Sequence, residues 1–309
     1  MKLYANMHNH STHSDGIYTP TELVNVAAKE GYGAIVLTDH DTVTGYEETA
    51  AVCAELGLET LFGTEFSSPC AELQDGFHIT AYGFDPEYPA MREYLDQLSA
   101  RETHQTKVLF ERGLSLGLIS GITWEEVLEY NKGISWLCNE HVFRAMKDKK
   151  LITDLEYPAF FQNVYGPHRD EVPDLYDFRQ TPDLIKLVHE AGGIALVAHP
   201  HNQLKHLAKL VEWGLDGIEV WHGDLPDIEE RREALRLAGE YDLYVSGGAD
   251  HSGLCGGQYI RYEHPEETRY YVEPLSLGTT EYFFGEIRDR KKNPDRKEVI
   301  EATLKLAEL

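Results

Sequence analysis

The first part of the chain alternates between short apolar runs and amphipathic segments. Residues 34–37 form a continuous apolar run, as expected for a strand that is buried on both faces of a sheet. Ahead of this run, Thr19-Pro20-Thr21-Glu22 has the pattern of a capping box with proline at the first helical position, which predicts the start of a helix. A second helix is predicted over about 44–56, and a further strand over 59–62. Strands that alternate with helices predict βαβ units and a parallel sheet.

The pattern changes after residue 86 and returns near residue 180. Between these points apolar residues recur at helical spacing, which predicts an inserted and mainly helical domain. Alternation then resumes, with apolar runs that predict strands at 194–198, 217–220 and 243–246. The predicted organisation is a discontinuous main domain of residues 1–88 and 180–257, an insertion of residues 89–179, and a C-terminal extension of residues 258–309 whose structure cannot be assigned from the sequence.

Composition narrows the class of protein. Of 309 residues, 53 are acidic and 28 are basic, which gives a formal net charge of −25, and 42% are hydrophobic, as in ordinary globular proteins. The excess of negative charge argues against binding to long nucleic acids. No apolar run approaches the ~20 residues that span a bilayer, so we expect no membrane association. The four cysteines have irregular spacing, and we expect reduced thiols in a cytoplasmic protein.

Side chains that bind metals stand at the ends of most predicted strands. In a parallel α/β barrel the carboxyl ends of the strands converge on one face, so these side chains would meet there. They are His8 and His10 after the first strand, Asp39 and His40 after the second, Glu65 after the third, His78 in a further strand-like segment, His199, and finally Asp250 with His251. The donors are nitrogen and oxygen without thiolate, a set that suits Mn, Fe or Zn.

Several of these segments also resemble a known family. The motifs are Met7-His8-Asn9-His10-Ser11-Thr12-His13-Ser14-Asp15-Gly16, Leu37-Thr38-Asp39-His40-Asp41-Thr42, Gly63-Thr64-Glu65, Phe77-His78-Ile79, Ala198-His199-Pro200 and Gly247-Gly248-Ala249-Asp250. Together they resemble the PHP (polymerase and histidinol phosphatase) family. The helical insertion is similar to that of its small stand-alone phosphoesterases, which include 3′,5′-nucleoside bisphosphate phosphatases, a cyclic phosphodiesterase and 5′-3′ exonucleases of short RNA.

The resemblance implies a fold and a set of metal ligands. The fold is a distorted (β/α)7 TIM-like barrel with an inserted, mainly helical domain. Two or three divalent metal ions are implied: the first held by His8, His10 and Asp250, the second by His78 and His199 with Glu65 as the bridge, and the third by Asp15 and His40. Asp39 would orient neighbouring ligands.

The sequence departs from the family pattern at three places. The usual Asp-x-His of the last motif is replaced by Asp250-His251-Ser252, which weakens the third metal position. Asn139 stands where the branch has an arginine that resembles a phosphate clamp, and His201-Asn202 replaces a glycine and a basic residue after the motif of His199. Arg144, His141, Asn139 and Asn202 are the candidate substrate contacts.

The predicted reaction is metal-dependent hydrolysis of a phosphoester in a small phosphorylated molecule, such as a nucleotide or a sugar phosphate. A hydroxide that bridges two metal ions would attack phosphorus, since metal binding lowers the pKa of water. His201 and His222 are the first candidates for the acid that protonates the leaving oxygen, with Asp39 as a further residue of the catalytic set.

Two alternatives remain open. One is a 5′-3′ exonuclease of short RNA, which needs a groove with basic and aromatic residues. Trp124, Trp136, Arg144 and the run Lys147-Asp148-Lys149-Lys150 could supply such a groove. The other is a metal-binding regulatory module with impaired catalysis, which rests on the altered last motif. The sequence does not predict the oligomeric state.

Overall fold

The fold was analysed in a computed structural model that describes residues 2–222, 228–250 and 277–306. The predicted capping box is confirmed: the hydroxyl of Thr19 accepts from the backbone N–H of Glu22, and the Glu22 carboxylate accepts from the backbone of Thr19. The predicted end of this helix is also confirmed, because Gly31 adopts a left-handed conformation with φ of 88°. Local sequence signals therefore determine both ends of the first helix.

Seven strands and eleven α-helices are described. The strands are β1 (Ala5–Asn6), β2 (Ala34–Ile35), β3 (Gly63–Cys70), β4 (Asp75–Tyr82), β5 (Ile194–Val197), β6 (Gly217–His222) and β7 (Tyr244–Gly248). The helices before β5 are α1 (Pro20–Glu30), α2 (Tyr46–Leu56), α3 (Pro89–Ser115), α4 (Trp124–Tyr130), α5 (Asn139–Asp148), α6 (Tyr157–Phe160) and α7 (Thr181–Glu190). Those after β5 are α8 (Leu207–Glu212), α9 (Ile228–Glu240), α10 (Glu281–Asp289) and α11 (Arg296–Thr303).

The strands form two sheets, one of β1 and β2 and one of β3 to β7 in chain order, and the larger sheet is mixed, which corrects the prediction of a wholly parallel sheet. β1 pairs with β2 in parallel, and β5, β6 and β7 form parallel pairs, but β4 is antiparallel to both β3 and β5. The physical reason is the short connection between β3 and β4: four residues permit a hairpin, whereas a parallel connection needs a dozen residues or more. The α/β class itself is confirmed.

The third strand also begins later than predicted. The predicted strand at 59–62 contributes only a single bridge, between Glu59 and Ala34, and the ladder of β3 starts at Gly63. Glu65 therefore lies inside a strand rather than after its end. A second bridge, between Glu65 and His40, brings this part of β3 beside the segment that follows β2.

Further backbone hydrogen bonds join the two sheets at both edges. On one side the N–H of Met7 donates to the carbonyl of Gly247 at 3.0 Å, and the N–H of Asp250 donates to His8 at 2.9 Å. Close approach here requires Gly248, because a Cβ at that position would lie 2.3 Å from the backbone nitrogen of His8. On the other side the N–H of Asp41 donates to Glu65 at 2.9 Å.

The hydrophobic core has separate parts. One large cluster packs the strands against α7, α9 and the first half of α3. Another lies wholly within residues 109–172 and includes Phe110, Phe143 and Tyr165. The segment from 277 onward, whose structure could not be assigned from the sequence, packs on the sheet: Thr279 bridges to Ala5, and α10 buries aromatic side chains in the core.

Candidate metal centre and adjoining cavities

Glu65 is the centre of a cluster of imidazoles. Its carboxylate is fully buried, and Oε2 lies 3.2 Å from each of three histidine nitrogens: Nε2 of His8, Nε2 of His10 and Nδ1 of His40. Oε1 lies 3.0 Å from Nδ1 of His78 and from Nε2 of His199. One carboxylate, carried inside β3, thus reaches five histidines that come from separate parts of the chain.

Asp250 closes the cluster on the side of the last strand. Its Oδ1 lies 3.0 Å from Nε2 of His10 and 3.6 Å from Nε2 of His8. Its Oδ2 lies 3.1 Å from Nε2 of His222. The prediction that concerned the neighbouring His251 and Ser252 falls outside the described residues.

The donor set fits divalent cations. Nε2 of His8, Nδ1 of His40 and Oε2 of Glu65 are buried, and none meets the geometry of a hydrogen bond within the described residues. Buried polar atoms without partners cost free energy, and a cation that accepts several of them at once removes that cost. Ligand atoms lie within 4.8 Å of one another in two groups that share Glu65: His8, His10, Glu65 and Asp250, and His40, Glu65 and His78.

Electrostatics in the cluster are dominated by burial and by opposite charges. Burial alone would raise the pKa of Glu65, but the imidazoles of His8, His78 and His40 hold it well below its usual value. Burial lowers the pKa of His40 to about 4. A metal ion competes with protons for the same nitrogens, so metal binding at this centre depends on pH.

A third group of donors lies nearer to solvent. Asp15 is 3.5 Å from Nδ1 of His10 and 3.9 Å from Nε2 of His40, and its side chain is 22% exposed. These three residues could hold an ion of their own. Because the contacts of Asp15 are longer than those of Glu65, we expect weaker binding here.

Glu219 is a site residue that sequence reasoning missed. It is buried in β6, its two oxygens lie 3.2 Å from Nδ1 of His8, and Oε2 accepts from the backbone N–H of His199 at 2.8 Å. A carboxylate in this position fixes the ring orientation of a metal-binding histidine and raises its basicity. The signal was available in the sequence, as a lone acidic residue between the apolar residues Ile218 and Val220.

Asp39 holds the loop that carries Asp15. Its carboxylate accepts from the N–H of Ser11 at 2.6 Å, from the hydroxyl of Ser11 at 2.7 Å and from the hydroxyl of Ser14 at 2.7 Å. The residue is only 2% exposed. The expectation of an orienting role agrees with these contacts, whereas a direct part in the chemistry has no support from them.

Arg144 and His141 also hold this loop, which departs from their expected role as substrate contacts. The Arg144 guanidinium donates to the carbonyls of Gly16, Thr12 and Ser14. His141 is fully buried; its Nδ1 accepts from the N–H of Cys138, and its Nε2 donates to Thr12 at 3.1 Å. Both side chains are occupied by the backbone, because the face of α5 that carries them packs on residues 12–16.

Two cavities of about 420 Å³ open beside the metal-binding cluster. One is lined by His199, His201, Asn202 and Asp250. The other lies towards the insertion and includes Asn139, whose amide donates to Glu140 and to the hydroxyl of Tyr157. Of the candidate contacts, His201, Asn202 and Asn139 therefore line cavities, whereas His222 is buried against Asp250.

Backbone strain is also found at the same place. Asp41, His199 and Asp250 have positive φ angles of 53°, 28° and 51° although none is glycine. Such conformations cost free energy, and they persist where the surrounding structure over-determines them, commonly at functional sites.

Comparisons with known proteins identify the family. The PHP domain profile matches residues 6–211. A 5′-3′ exoribonuclease of Haemophilus influenzae is 30% identical over 81% of this chain and 90% of that protein. A phosphoribosyl 1,2-cyclic phosphate 1,2-diphosphodiesterase of Eggerthella lenta is 29% identical over 81% of this chain and 94% of its own length. A 3′,5′-nucleoside bisphosphate phosphatase of Chromobacterium violaceum is 27% identical over 87% of this chain and 94% of its own length.

A solved structure is similar over nearly the whole chain. It comes from Bifidobacterium adolescentis, is designated a metal-dependent phosphoesterase, and matches with a TM-score of 0.72 and 27% identity over 94% of this chain and 98% of that one. The chain belongs to the PHP domain family. The predicted enzyme class, a phosphoric ester hydrolase, is thereby confirmed, and the buried His, Glu and Asp cluster is consistent with the use of divalent metal.

Three further expectations can be compared with the structure. Within the residues that it describes, no helix has the length and apolar character that crossing a membrane requires. Cys53, Cys70 and Cys138 are buried thiols without a disulfide. Of the residues suggested for an RNA groove, Arg144, Lys147 and Lys150 line one cavity and Trp136 lines another, whereas Trp124 is buried in the core of the insertion. Lys147 and Lys149 also pair with Asp154 and Glu126.

Proposed function

We propose that this protein hydrolyses a phosphoester bond in a small phosphorylated molecule, with divalent metal ions held at the strand ends. The observation that carries the proposal is the convergence of His8, His10 and His40 on Oε2 of Glu65. Nε2 of His8, Nδ1 of His40 and Oε2 of Glu65 are buried there without a hydrogen-bond partner among the described residues. Few structural roles explain so many buried ionisable groups at one point. The names of the relatives support the same chemistry.

Ligand assignments follow from the groups of neighbouring donors. His8, His10 and Asp250 would hold one ion and His78 with His199 a second, with Glu65 shared between them. Asp15 and His40, with His10, would hold a third and weaker ion. The nitrogen and oxygen donors suit Mn, Fe or Zn, and metal availability in the cell would decide among them.

The chain's own residues have distinct tasks in this reaction. Divalent ions, when bound, lower the pKa of water and neutralise charge on a phosphoryl oxygen. Glu219 holds the ring of His8 in the orientation that presents Nε2 to the centre. His201, which lines the cavity next to His199, is the candidate that donates a proton to the leaving oxygen.

We infer that the seven strands form one distorted barrel, because hydrogen bonds join β1 to β7 and bridges join the β2 region to β3. Residues 1–88 and 180–257 would form this barrel, and residues 89–179 an inserted helical domain with its own core. The described part of the segment 258–309 packs on the barrel and would belong to it.

The proposal is tested by stripping the protein with a chelator and measuring hydrolysis before and after Mn²⁺ is restored. Hydrolysis is measured as phosphate release for the monoesters, as the ring-opened product for the cyclic phosphate and as released nucleotide for the RNA. The substrate panel contains a nucleoside bisphosphate, a sugar phosphate, a cyclic phosphate and a labelled short RNA. We expect metal-dependent turnover of at least one small ester. Turnover of the RNA alone would favour the exonuclease, the second candidate, which the relative from Haemophilus influenzae supports. No turnover of any ester would favour the impaired regulatory module.

A further inference from the structure

The cavity next to His199 is bounded by two short segments of the chain. One is the 3₁₀ turn His201–His206, which follows β5, and the other is the beginning of β4 at Gly76. His201 lines this cavity, and its ring centroid lies 5.8 Å from that of His199 and 6.3 Å from that of His222. The position of the turn therefore sets the position of His201 relative to the metal-binding cluster.

Gln203 joins the turn to β4. Just beyond the last residue pair of the β4–β5 ladder, the N–H of Ala198 donates to the carbonyl of His78 at 2.9 Å. Farther along β4 a side chain takes the place of the neighbouring strand: Nε2 of Gln203 donates to the carbonyl of Gly76 at 2.7 Å. The amide of Gln203 thereby extends the pairing of β4 past the end of β5 and satisfies a backbone carbonyl there.

Asp75 holds the amide of Gln203 in this position. Its Oδ1 accepts from Nε2 of Gln203 at 3.2 Å and from the backbone N–H of Gly76 at 2.9 Å. Its Oδ2 lies 3.3 Å from Nε2 of His206, at the far end of the turn. The N–H of Gly76 and the amide of Gln203 hold the pKa of Asp75 below its usual value, so the carboxylate stays ionised at neutral pH. One carboxylate thus contacts the turn at its middle and at its end.

His206 fastens the same turn to the core. Its ring meets the ring of Phe77 edge-on, with centroids 5.9 Å apart and planes at 89°. Phe77 is buried in the large cluster that packs on the strands, so this contact ties the turn to a rigid part of the fold. The backbone ahead of the turn is strained, with a φ of 28° at His199. Strain of this kind persists where neighbouring contacts over-determine the backbone.

We propose that Gln203 is a positioning residue: held by Asp75 and by the carbonyl of Gly76, it fixes the turn so that His201 faces the leaving group of the ester. This inference rests on the proposed function, in which a proton passes from a ring nitrogen of His201 to the leaving oxygen as the bond from phosphorus to that oxygen breaks. A small misplacement of such a donor is costly. The effect of Gln203 is therefore confined to esters whose leaving oxygen needs a proton.

Two aryl esters that differ in their leaving group test this role with the Mn²⁺-loaded full chain. p-Nitrophenyl phosphate releases a weakly basic phenolate that needs little protonation, whereas phenyl phosphate releases a more basic one. Gln203→Met keeps the volume of the side chain and removes its amide. We expect kcat for phenyl phosphate to fall about tenfold, with KM nearly unchanged and with p-nitrophenyl phosphate hydrolysed at the wild-type rate. An equal fall for both esters, or a change in KM alone, would overturn the proposal.

Two control variants separate this role from a general loss of contacts. Gln97→Met makes the same chemical change on α3, where the amide of Gln97 donates to Glu93 on the same helix. Lys209→Gln removes an exposed contact between the same two regions, because Lys209 on α8 lies 3.3 Å from Glu72 in the connection from β3 to β4. We expect wild-type kinetics from both controls. A loss in either that equals the loss in Gln203→Met would contradict a specific role of Gln203.

A double variant shows whether Gln203 acts through His201. His201→Gln removes the proton donor, so we expect it to lower kcat for phenyl phosphate more than Gln203→Met does. In Gln203→Met/His201→Gln the loss should equal that of His201→Gln alone, because a donor that is absent cannot be misplaced. Losses that multiply in the double variant would overturn the proposal.

Substitutions of Asp75 grade the same effect. Asp75→Asn keeps an oxygen that can accept from the amide of Gln203 and from the N–H of Gly76, so we expect it to retain most of the wild-type kcat for phenyl phosphate. Asp75→Ala removes this acceptor and should resemble Gln203→Met. Equal kinetics of the two Asp75 variants would contradict the hold of Asp75 on Gln203.

Hydrogen exchange separates this inference from the proposed function, because it needs no turnover. In Gln203→Met we expect the backbone amides of residues 201–206 to exchange about tenfold faster than in the wild type and in Gln97→Met. If the wild type hydrolyses no ester but this exchange rises, Gln203 fixes the turn and the proposed function fails. If the wild type is active but the exchange is unchanged and the two esters respond alike, the positioning role is wrong and the proposed function stands.

Discussion

The metal-binding cluster and the insertion use charged side chains in opposite ways. In the cluster, His8, His10 and Glu65 are buried with their functional atoms directed at one another. In the insertion, Arg144 and His141 donate hydrogen bonds to backbone carbonyls of the loop at 12–16. Sheet topology alone gathers the first set, whereas the second depends on which face of α5 packs against which loop. In the proposed function, the first region would supply the metal ligands and the second would hold the loop that carries Asp15.

The largest expected effect is that of Glu65→Gln, which removes the carboxylate at the centre of the cluster. Glutamine keeps the shape but cannot supply two anionic oxygens to neighbouring ions. We expect kcat/KM to fall by about 10³-fold or more, as for loss of a group central to charge stabilisation, together with loss of bound metal measured by elemental analysis. Glu190→Gln, at an exposed position of α7 paired with Lys186, is the control. Wild-type turnover and metal content in Glu65→Gln would refute its shared role.

Glu219→Gln tests a second kind of residue within the strands, because Glu219 contacts the proposed ligand His8 and is not itself a proposed ligand. The amide keeps a hydrogen bond to His8 but loses the negative charge that raises the basicity of the ring. We expect affinity for Mn²⁺ to fall about 10- to 100-fold, with activity restored at high Mn²⁺. The measurement is titration of metal-free protein. An unchanged dissociation constant for Mn²⁺ would show that Glu219 does not support metal binding.

Arg144→Gln tests whether the insertion acts by holding the loop. Loss of three donated hydrogen bonds should loosen residues 12–16 and with them Asp15. We expect the weakest-bound ion to be lost, and activity to fall about tenfold in limiting Mn²⁺ and recover in excess. Lys147→Gln, one turn along α5 and paired with the surface residue Asp154, serves as the control. If only KM increases and excess Mn²⁺ does not reverse the increase, Arg144 binds substrate instead of holding the loop.

Glu140→Gln should give the smallest effect, on stability rather than activity. Burial raises the pKa of Glu140, whose carboxylate accepts from Asn139 and from Tyr157. A raised folded pKa means that the wild type loses stability as pH rises above the unfolded value of 4.5 through the folded pKa. The neutral variant escapes this loss. We expect its melting temperature relative to wild type to increase from pH 5 to pH 8, on the order of 2 °C. A constant difference would contradict the assigned shift.

The sequence predicted the parts of this molecule that local rules control. Thr19 and Gly31 bound α1 because capping chemistry needs no tertiary information. His8, His10 and His199 could be placed near one another because strand ends in an α/β barrel converge. The later start of β3 was missed, since the segment at 59–62 resembles a strand but forms only one bridge. The reversed direction of β4 was missed because it follows from the short connection after β3.

Roles that depend on long-range packing were beyond the sequence. Glu219 stands out in the sequence as a lone acidic residue between apolar ones, but only the fold shows that it contacts His8. Arg144 was expected to face the substrate because its position on a helix says nothing about what the helix packs against. Assignment of charged helical residues therefore needs the tertiary structure.

Anomalous diffraction from crystals grown with Mn²⁺ tests the central claim most directly, because it locates the ions without assuming a substrate. We predict one peak among His8, His10 and Asp250 and another between His78 and His199, with Glu65 in contact with both. Peaks elsewhere on the chain, with none beside Glu65, would contradict the account.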